Sequence, residues 1–175
     1  MMNLSSEFRV RLKRPHSHQE AFLRSKAKHK VIRAGRRAGK TTGMAIGAVQ
    51  SFLAGRRVRY AAPTDEQISQ FWREVKTALA LLIDAGVFYK NETEHIIERA
   101  GTSQRVKAKT AWNADTLRGD YADLLILDEW QLMDETVWDP PERPSIWQDD
   151  RRDREIERPW PSIWERDDYG RLFNW

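Results

Sequence analysis

Residues 31–42 read VIRAGRRAGKTT and decide the fold of this 175-residue chain. A phosphate-binding loop has the pattern Gly, four residues, then Gly-Lys-Ser/Thr, between a buried strand and a helix. Ala34 stands at the first position of that pattern, and Gly39, Lys40 and Thr41 fit its end. In such a loop the backbone N–H groups converge on phosphates at the start of the helix. The sequence therefore predicts a site for a nucleotide.

Each position of this loop has a physical task. Gly39 lets the backbone approach a phosphate with no Cβ in the way. Lys40 would place its ammonium on the β- and γ-phosphates, and Thr41 would offer its hydroxyl to Mg²⁺. The residues that the pattern assigns to the nucleotide are Ala34, Gly35, Arg36, Arg37, Ala38, Gly39, Lys40, Thr41 and Thr42.

The segments around the loop predict alternating strands and helices. Val31-Ile32 begins an apolar strand, and the small and apolar residues of 42–53 predict a buried helix. A second strand is expected over 58–62, and a helix over 64–85 has one apolar face. A short helix over 18–26 precedes them all. This order favours an α/β fold.

Two further signals set the ends of elements. Thr64 and Gln67 have the spacing of a capping box, so the long helix should begin there. Residues 94–98 and 105–109 alternate polar and apolar side chains around a Gly-containing turn, which predicts a hairpin.

A pair of acids follows the most apolar run of the chain. Leu124–Leu127 is typical of a strand buried on both faces of a parallel sheet. Asp128 and Glu129 would then lie at the carboxyl edge of the sheet, where α/β proteins bind ligands. Asp128 would hold Mg²⁺, and Glu129 would polarise the attacking water. The loop and the acids together predict a P-loop NTPase of the RecA-like (ASCE) type, a three-layer sandwich with a mostly parallel sheet, incomplete at its C-terminal side.

Charge and composition limit the function classes. Lys and Arg number 30 and Asp and Glu 26, but residues 1–60 hold 15 of the cations and only 2 of the acids. A basic end suits a polyanion such as nucleic acid or a nucleotide, although a solvated basic surface remains an alternative. With Cys at 0, disulfides and thiolate metal sites are excluded. The absence of an apolar run of about 20 residues excludes a membrane span and points to the cytoplasm.

The composition changes near the end of the chain. Most of the Pro and Trp residues follow position 135, and aliphatic residues become sparse there. We therefore expect an ATPase domain over residues 1–135 and an irregular, Trp- and Pro-rich tail over 136–175. The tail would either dock on the domain or form a surface for a partner.

Taken together, these motifs resemble the large terminase subunit of tailed phages, the DNA-packaging ATPase, over about residues 15–135. The segment 33–41 looks like the arginine-bearing Walker A motif of that family, and Asp128-Glu129 looks like its Walker B motif and catalytic glutamate. Other matching positions are Gln19 after Pro15, Ala62-Pro63-Thr64 with Gln67, and Thr116-Leu117-Arg118-Gly119.

The resemblance implies an ATP- and Mg²⁺-dependent motor that moves double-stranded DNA into a procapsid. It implies that Gln19 reads adenine and that Arg36 stabilises the charge on the γ-phosphate, so Glu129, Lys40 and Arg36 form the catalytic set. It also implies a portal protein, a small terminase subunit and a ring of identical subunits as partners, in the cytoplasm of the host.

Two departures from the family limit these expectations. Neither the third ATPase motif, which lies on a further strand, nor the metal-dependent nuclease domain is found, so we expect a truncated chain with weak ATPase activity. The missing strand normally separates the Walker A and Walker B strands, and its loss would leave a gap in the sheet. The alternatives are a helicase-like or DNA-repair P-loop ATPase and a non-hydrolysing, nucleotide-binding interaction protein.

Overall fold

A computed structural model of the chain describes residues 10–35, 37–111 and 121–133. The α-helices in this part are Ser17–Arg24 (α1), Lys40–Leu53 (α2) and Asp65–Asp84 (α3). The strands are Arg57–Ala62 (β1), Tyr89–Asn91 (β2), Ile96–Glu98 (β3), Arg105–Thr110 (β4) and Leu124–Leu127 (β5). A 3-10 turn, Trp130–Leu132, follows β5.

The strands form one sheet in the order β2-β3-β4-β1-β5. β1 pairs in parallel with both β4 and β5, whereas β3 pairs antiparallel with β2 and with β4. The predicted α/β class and the predicted hairpin of β3 and β4 are confirmed. β2 was not predicted, because three residues that begin with the exposed Tyr89 show no apolar pattern.

Helices α2 and α3 cover one face of the sheet. Alternate residues of β1 point to this face, and they pack with Phe52 of α2 and Phe71 of α3 in one apolar core. The ring of Tyr60 stacks on that of Phe71, with 3.8 Å between centroids and 3° between planes. Within the described residues, two of the three predicted layers are therefore seen.

The start of α3 is the best-predicted boundary of the chain. The Thr64 hydroxyl accepts a hydrogen bond from the N–H of Gln67, and the Gln67 side chain accepts one from the N–H of Thr64. Both halves of the predicted capping box are present. The helix ends one residue before the predicted position, and Gly86 follows in the left-handed region with φ of 72°.

The predicted strand at residues 31–32 is wrong. Residues 31–35 have no regular structure, and Val31 is 47% exposed. In the described part of the chain β5 ends the sheet, so no strand lies beyond it with which Val31 could pair. The same edge position explains why all four residues of β5 are half-buried, although burial on both faces was expected.

One exposed carboxylate joins α3 to the β2–β3 hairpin. Glu92 accepts hydrogen bonds from Trp72 Nε1 at 2.8 Å and from Lys76 Nζ at 3.1 Å, and Lys90 Nζ lies 2.8 Å from it. Hydrogen bonding to Lys90, Trp72 and Lys76 lowers the pKa of Glu92 to about 2. The carboxylate thus holds the hairpin against the end of the core.

We predict that Glu92→Gln lowers the free energy of unfolding at neutral pH by about 0.5–1 kcal/mol, because the side chain is half exposed and water screens its ion pairs. Since the folded pKa is depressed, the contribution of Glu92 is present above pH 4.5 and is lost as pH falls toward 2. Urea unfolding at several pH values measures this. Glu94→Gln, two residues along the same turn, is the control, and an equal loss in both variants would contradict the prediction.

Candidate functional site

The predicted phosphate loop turns sharply into α2. Gly39 is the N-terminal cap of the helix and has φ of 76°, a left-handed conformation that favours glycine. A Cβ at this position would lie 2.8 Å from the side-chain nitrogen of Gln19. The helix begins at Lys40, two residues before the predicted start. Its first N–H groups have no partner within the helix, and together with the helix dipole they favour an anion there.

The structure brings the two ends of the predicted site together through Lys40. Its Nζ donates to Glu129 Oε1 at 3.0 Å and to the carbonyl oxygen of Ala34 at 3.2 Å. The side chains of Lys40 and Glu129 are 25% and 29% exposed, so the ion pair lies in a cleft that solvent reaches. The ammonium of Lys40, which was predicted to bind phosphates, is thus paired with the carboxylate of Glu129, which was predicted to act on water.

Asp128 is buried beside the start of α2, with 6% of its surface exposed. Its Oδ2 accepts a hydrogen bond from the Tyr60 hydroxyl at 2.8 Å and one from Thr41 Oγ1 at 3.4 Å. Burial raises the pKa of Asp128, and the charge of Glu129 adds to this, while the Tyr60 hydrogen bond and Lys40 act in the opposite direction. The carboxylate is therefore costly to keep charged unless a cation joins it.

Glu129 has a strained backbone. Its φ of 50° lies in the left-handed region, which a residue with a Cβ seldom adopts. The strain lets the chain turn from β5 directly into the 3-10 turn, so Asp128 and Glu129 point into the same cleft. Gln131 Nε2 donates to Glu129 Oε2 and helps to hold the carboxylate. Backbone strain of this kind gathers at functional sites.

Sequence reasoning missed Tyr60. This residue is fully buried in β1, and burial, together with the charge of Asp128, raises its pKa. Its hydroxyl stays protonated and is a permanent donor to Asp128. The signal in the sequence was a tyrosine at an inward position of a predicted core strand, since a buried hydroxyl needs a partner. What the sequence did not show is that the partner would be the Walker-B-like aspartate.

Gln19 lies against the loop, and its amide is already engaged there. Nε2 donates to the carbonyl oxygen of Gly39 at 2.7 Å, and Oε1 accepts the N–H of His16 at 3.1 Å. An amide has two donors and two lone pairs, so one of each remains for another partner. Contact with adenine stays a prediction.

The remaining predicted residues divide into two groups. Arg37 and Ala38 are exposed on the loop, and Arg37 has φ of 65°, while Thr42 is half-buried in the first turn of α2. Arg36, the Thr116–Gly119 segment and the tail 136–175 lie outside the described residues.

The hydroxyl of Thr41 and the carboxylate of Asp128 form a pair of hard oxygen donors, which fits the chemistry of Mg²⁺. Within ranges 10–35, 37–111 and 121–133, no three His, Asp or Glu side chains gather as a metal cage. Mg²⁺ needs no such cage, because it is usually held by one or two carboxylates and the phosphates of a substrate. No helix in these ranges is long and apolar enough to span a membrane.

The fold is similar to that of two solved structures of a large terminase ATPase domain from Thermus phage P74-26. The first has a TM-score of 0.62 and 26% sequence identity, over 73% of this chain and 58% of that chain. The second, an arginine-to-alanine variant of the same domain, has a TM-score of 0.62 and 25% identity. No protein-family model matches the sequence, and no curated protein matches it.

The chain spans less than two thirds of the length of those two structures, while most of its own length is matched. The two chains share the arrangement of the backbone, and about a quarter of the matched residues are identical. The similarity leads to the same family as the motifs at 33–41 and 128–129. The resemblance of this chain to the ATPase domain of a phage large terminase is therefore confirmed.

Proposed function

We propose that this chain is the ATP-binding and ATP-hydrolysing motor domain of a phage terminase large subunit, which drives double-stranded DNA into procapsids. One observation carries the proposal. Lys40 and Thr41 of the loop contact Glu129 and Asp128 after β5, so the two motifs form a single cleft at the carboxyl edge of the sheet.

Binding of a triphosphate would begin by breaking the ion pair between Lys40 and Glu129. The ammonium moves from the carboxylate to the β- and γ-phosphates, which carry more negative charge than a single carboxylate. The N–H groups at the start of α2 receive the same phosphates. As Lys40 leaves, Glu129 loses its cation and becomes a better proton acceptor. Nucleotide binding itself thus prepares the base.

Hydrolysis would then depend on where Glu129 holds its carboxylate. The residue is fixed by its backbone turn and by Gln131, so it can orient a water molecule in line with the γ-phosphate. Negative charge spreads over the equatorial oxygens in the transition state. Lys40 stabilises this charge, and by family resemblance Arg36 does so as well.

Thr41 and Asp128 would hold Mg²⁺, which when bound neutralises charge on the phosphates. The raised pKa of Asp128 agrees with this role, because a buried carboxylate without a full counter-charge gains the most from a cation. Tyr60 keeps one oxygen of the carboxylate fixed by its hydrogen bond, and the aspartate is thereby oriented before metal binds.

The remaining roles follow from the resemblance alone. DNA would be bound through backbone phosphates by the basic residues of the first 60 positions, and binding would weaken with salt. The portal protein, the small terminase subunit and a ring of copies of this chain would be the partners, in the host cytoplasm. The structural similarity favours this function over a helicase-like ATPase or a non-hydrolysing interaction protein.

We predict that Lys40→Ala weakens ATP binding by about 10- to 100-fold, as the loss of a charge-assisted hydrogen bond implies. Glu129→Gln should bind ATP at least as tightly as the unchanged chain, because Lys40 is released from its ion pair. The same variant should lose about 10²- to 10⁴-fold in hydrolysis, since it removes the base. Titration with a fluorescent ATP analogue and single-turnover hydrolysis measure the two effects.

The matched control is Glu94→Gln, which removes an exposed carboxylate remote from the loop and should change neither quantity. Slow turnover is expected of the chain alone. An unchanged rate of hydrolysis in Glu129→Gln, or an unchanged affinity for ATP in Lys40→Ala, would refute the assigned roles. Turnover as fast as that of a complete motor would refute the expectation of weak activity.

We also predict that Asp128→Asn makes the nucleotide-free chain more stable by about 0.5–2 kcal/mol at neutral pH, because it removes a buried charge whose site serves function rather than stability. The folded pKa is raised above 3.8, so the native state holds the proton to higher pH than the unfolded state does. Stability therefore falls as pH rises through this window, and the gain of Asp128→Asn should vanish at lower pH.

Thermal unfolding with and without Mg²⁺ and ATP tests this prediction. The unchanged chain should be stabilised more by Mg²⁺ with ATP than by ATP alone, and Asp128→Asn should lose that difference. Asp84→Asn, at the exposed end of α3, should keep it. If Asp128→Asn unfolds at lower temperature than the unchanged chain and still responds to Mg²⁺, then Asp128 is a structural residue.

A further inference from the structure

The first residue before α1 is an unusual helix cap. N-terminal caps are most often Ser, Thr, Asn or Asp, whose short side chains reach the free N–H groups. Here His16 has that position, and its Nδ1 accepts the N–H of Gln19 at 3.4 Å, a long hydrogen bond. As an N-terminal cap, histidine stabilises the helix less than asparagine would. Such a local departure suggests that the residue has a second task.

The other ring nitrogen of His16 reaches the phosphate loop. Nε2 lies 3.2 Å from the carbonyl oxygen of Ala38, which is 22 residues further along the chain. In a neutral imidazole one nitrogen donates and the other accepts. Because Nδ1 accepts from Gln19, the proton belongs on Nε2, and this nitrogen donates to Ala38. One ring therefore caps α1 and holds the loop.

Gln19 holds the next carbonyl of the loop. Its Nε2 donates to the oxygen of Gly39, so two consecutive carbonyls of the loop are bonded from α1. In a trans peptide the C=O and the following N–H point in opposite directions. Fixing the carbonyl of Ala38 toward His16 therefore turns the N–H of Gly39 away from it, where a phosphate would lie. The carbonyl of Gly39 also accepts the N–H of Gly43 at 2.9 Å, so Gln19 and the first turn of α2 together fix the N–H of Lys40.

Close packing makes these two bonds possible. α1 lies against a glycine-lined side of α2, and a Cβ at Gly43 would lie 3.1 Å from Cγ of Gln19. A Cβ at Gly47 would lie 3.1 Å from a methyl carbon of Leu23. Larger residues at either position would push α1 away from the loop. The glycines thus set the distance across which His16 reaches Ala38.

We propose that His16 is a positioning residue of the phosphate loop. Through Nε2 it fixes the carbonyl of Ala38 and so aims the N–H of Gly39 at the nucleotide. The inference rests on the proposed nucleotide binding for its functional consequence, while the bond itself exists without nucleotide.

His16→Asn separates the two tasks of the ring. The asparagine oxygen replaces Nδ1 as an efficient cap, but the side chain has no atom in place of Nε2. We expect unfolding stability to be unchanged or higher and the affinity for the fluorescent ATP analogue to fall about 3- to 10-fold, as expected for one lost hydrogen bond. Ser17→Ala, at an exposed position in the first turn of α1, is the control and should bind like the unchanged chain.

A measurement without nucleotide tests the bond directly. In ¹H–¹⁵N spectra at alkaline pH, where imidazole is neutral, His16 should carry its proton on Nε2. The amide signals of Gly39 and Lys40 should shift in His16→Asn and stay in place in Ser17→Ala. A proton on Nδ1, or amide signals that do not move, overturns the proposal.

The two experiments separate the possible failures. If the unchanged chain binds no ATP analogue while the amide signals respond to His16→Asn, the proposed function fails and the loop contact is upheld. If the chain binds the analogue and His16→Asn binds it equally well, the positioning role is overturned and the proposed function stands.

Discussion

The hydrogen bond between Tyr60 and Asp128 connects the core of the domain to its candidate site. The tyrosine ring is stacked on Phe71 of α3 and fully buried, so its hydroxyl has little freedom to move. Asp128 in turn accepts from Thr41 at the start of α2. Through these two contacts β1, β5 and α2 meet at one carboxylate, and α3 is joined to it through the stacked rings of Phe71 and Tyr60. The apolar packing that holds Tyr60 in the core therefore also sets the position of the Asp128 carboxylate.

Burial of its acidic groups explains why the site is energetically unfavourable without a ligand. Burial raises the pKa of Asp128, and Glu129 adds a second negative charge beside it. Lys40 relieves part of this repulsion by pairing with Glu129, and a left-handed backbone at Glu129 adds strain. A divalent cation and a phosphate chain would supply the missing charges of both signs. The ligand-free domain is therefore less stable because of this site, and a bound ligand is expected to restore the lost stability.

How far the sequence predicts this structure depends on how local each signal is. The capping box of Thr64 and Gln67 lies within four residues, and it was predicted in full. The sequence also predicted that the loop and the two acids would share one site, because a Mg–nucleotide site requires both, but it did not predict the direct bond between Lys40 and Glu129. In that case the known structure of the motif predicted that residues far apart in sequence lie together, which local patterns cannot predict.

The errors arose where a residue's state depends on neighbours far along the chain. Val31 and Ile32 have the composition of a strand, but composition cannot show whether a neighbouring strand is present to pair with them. β2 is too short to show a pattern, and it exists because β3 offers an edge. The hydroxyl of Tyr60 needed a partner, but only the register of β1 against β5 identifies it as Asp128.

The phosphate loop is held from two opposite sides, and this determines what a nucleotide would have to change. On one side Gln19 and His16 bond the carbonyls of Gly39 and Ala38. On the other side Lys40 bonds Glu129 and the carbonyl of Ala34.

The bonds from Gln19 and His16 can stay in place when phosphate arrives, because carbonyls that point away from the ligand leave the N–H groups free for it. In the proposed function the ammonium moves to the phosphates, and its bond to Glu129 would then break. Binding in this way would need one long, flexible side chain to move while the backbone stays fixed, and a fixed backbone lowers the entropy lost on binding. The carboxylate that this movement would free is the group to which the proposed function gives the activation of water.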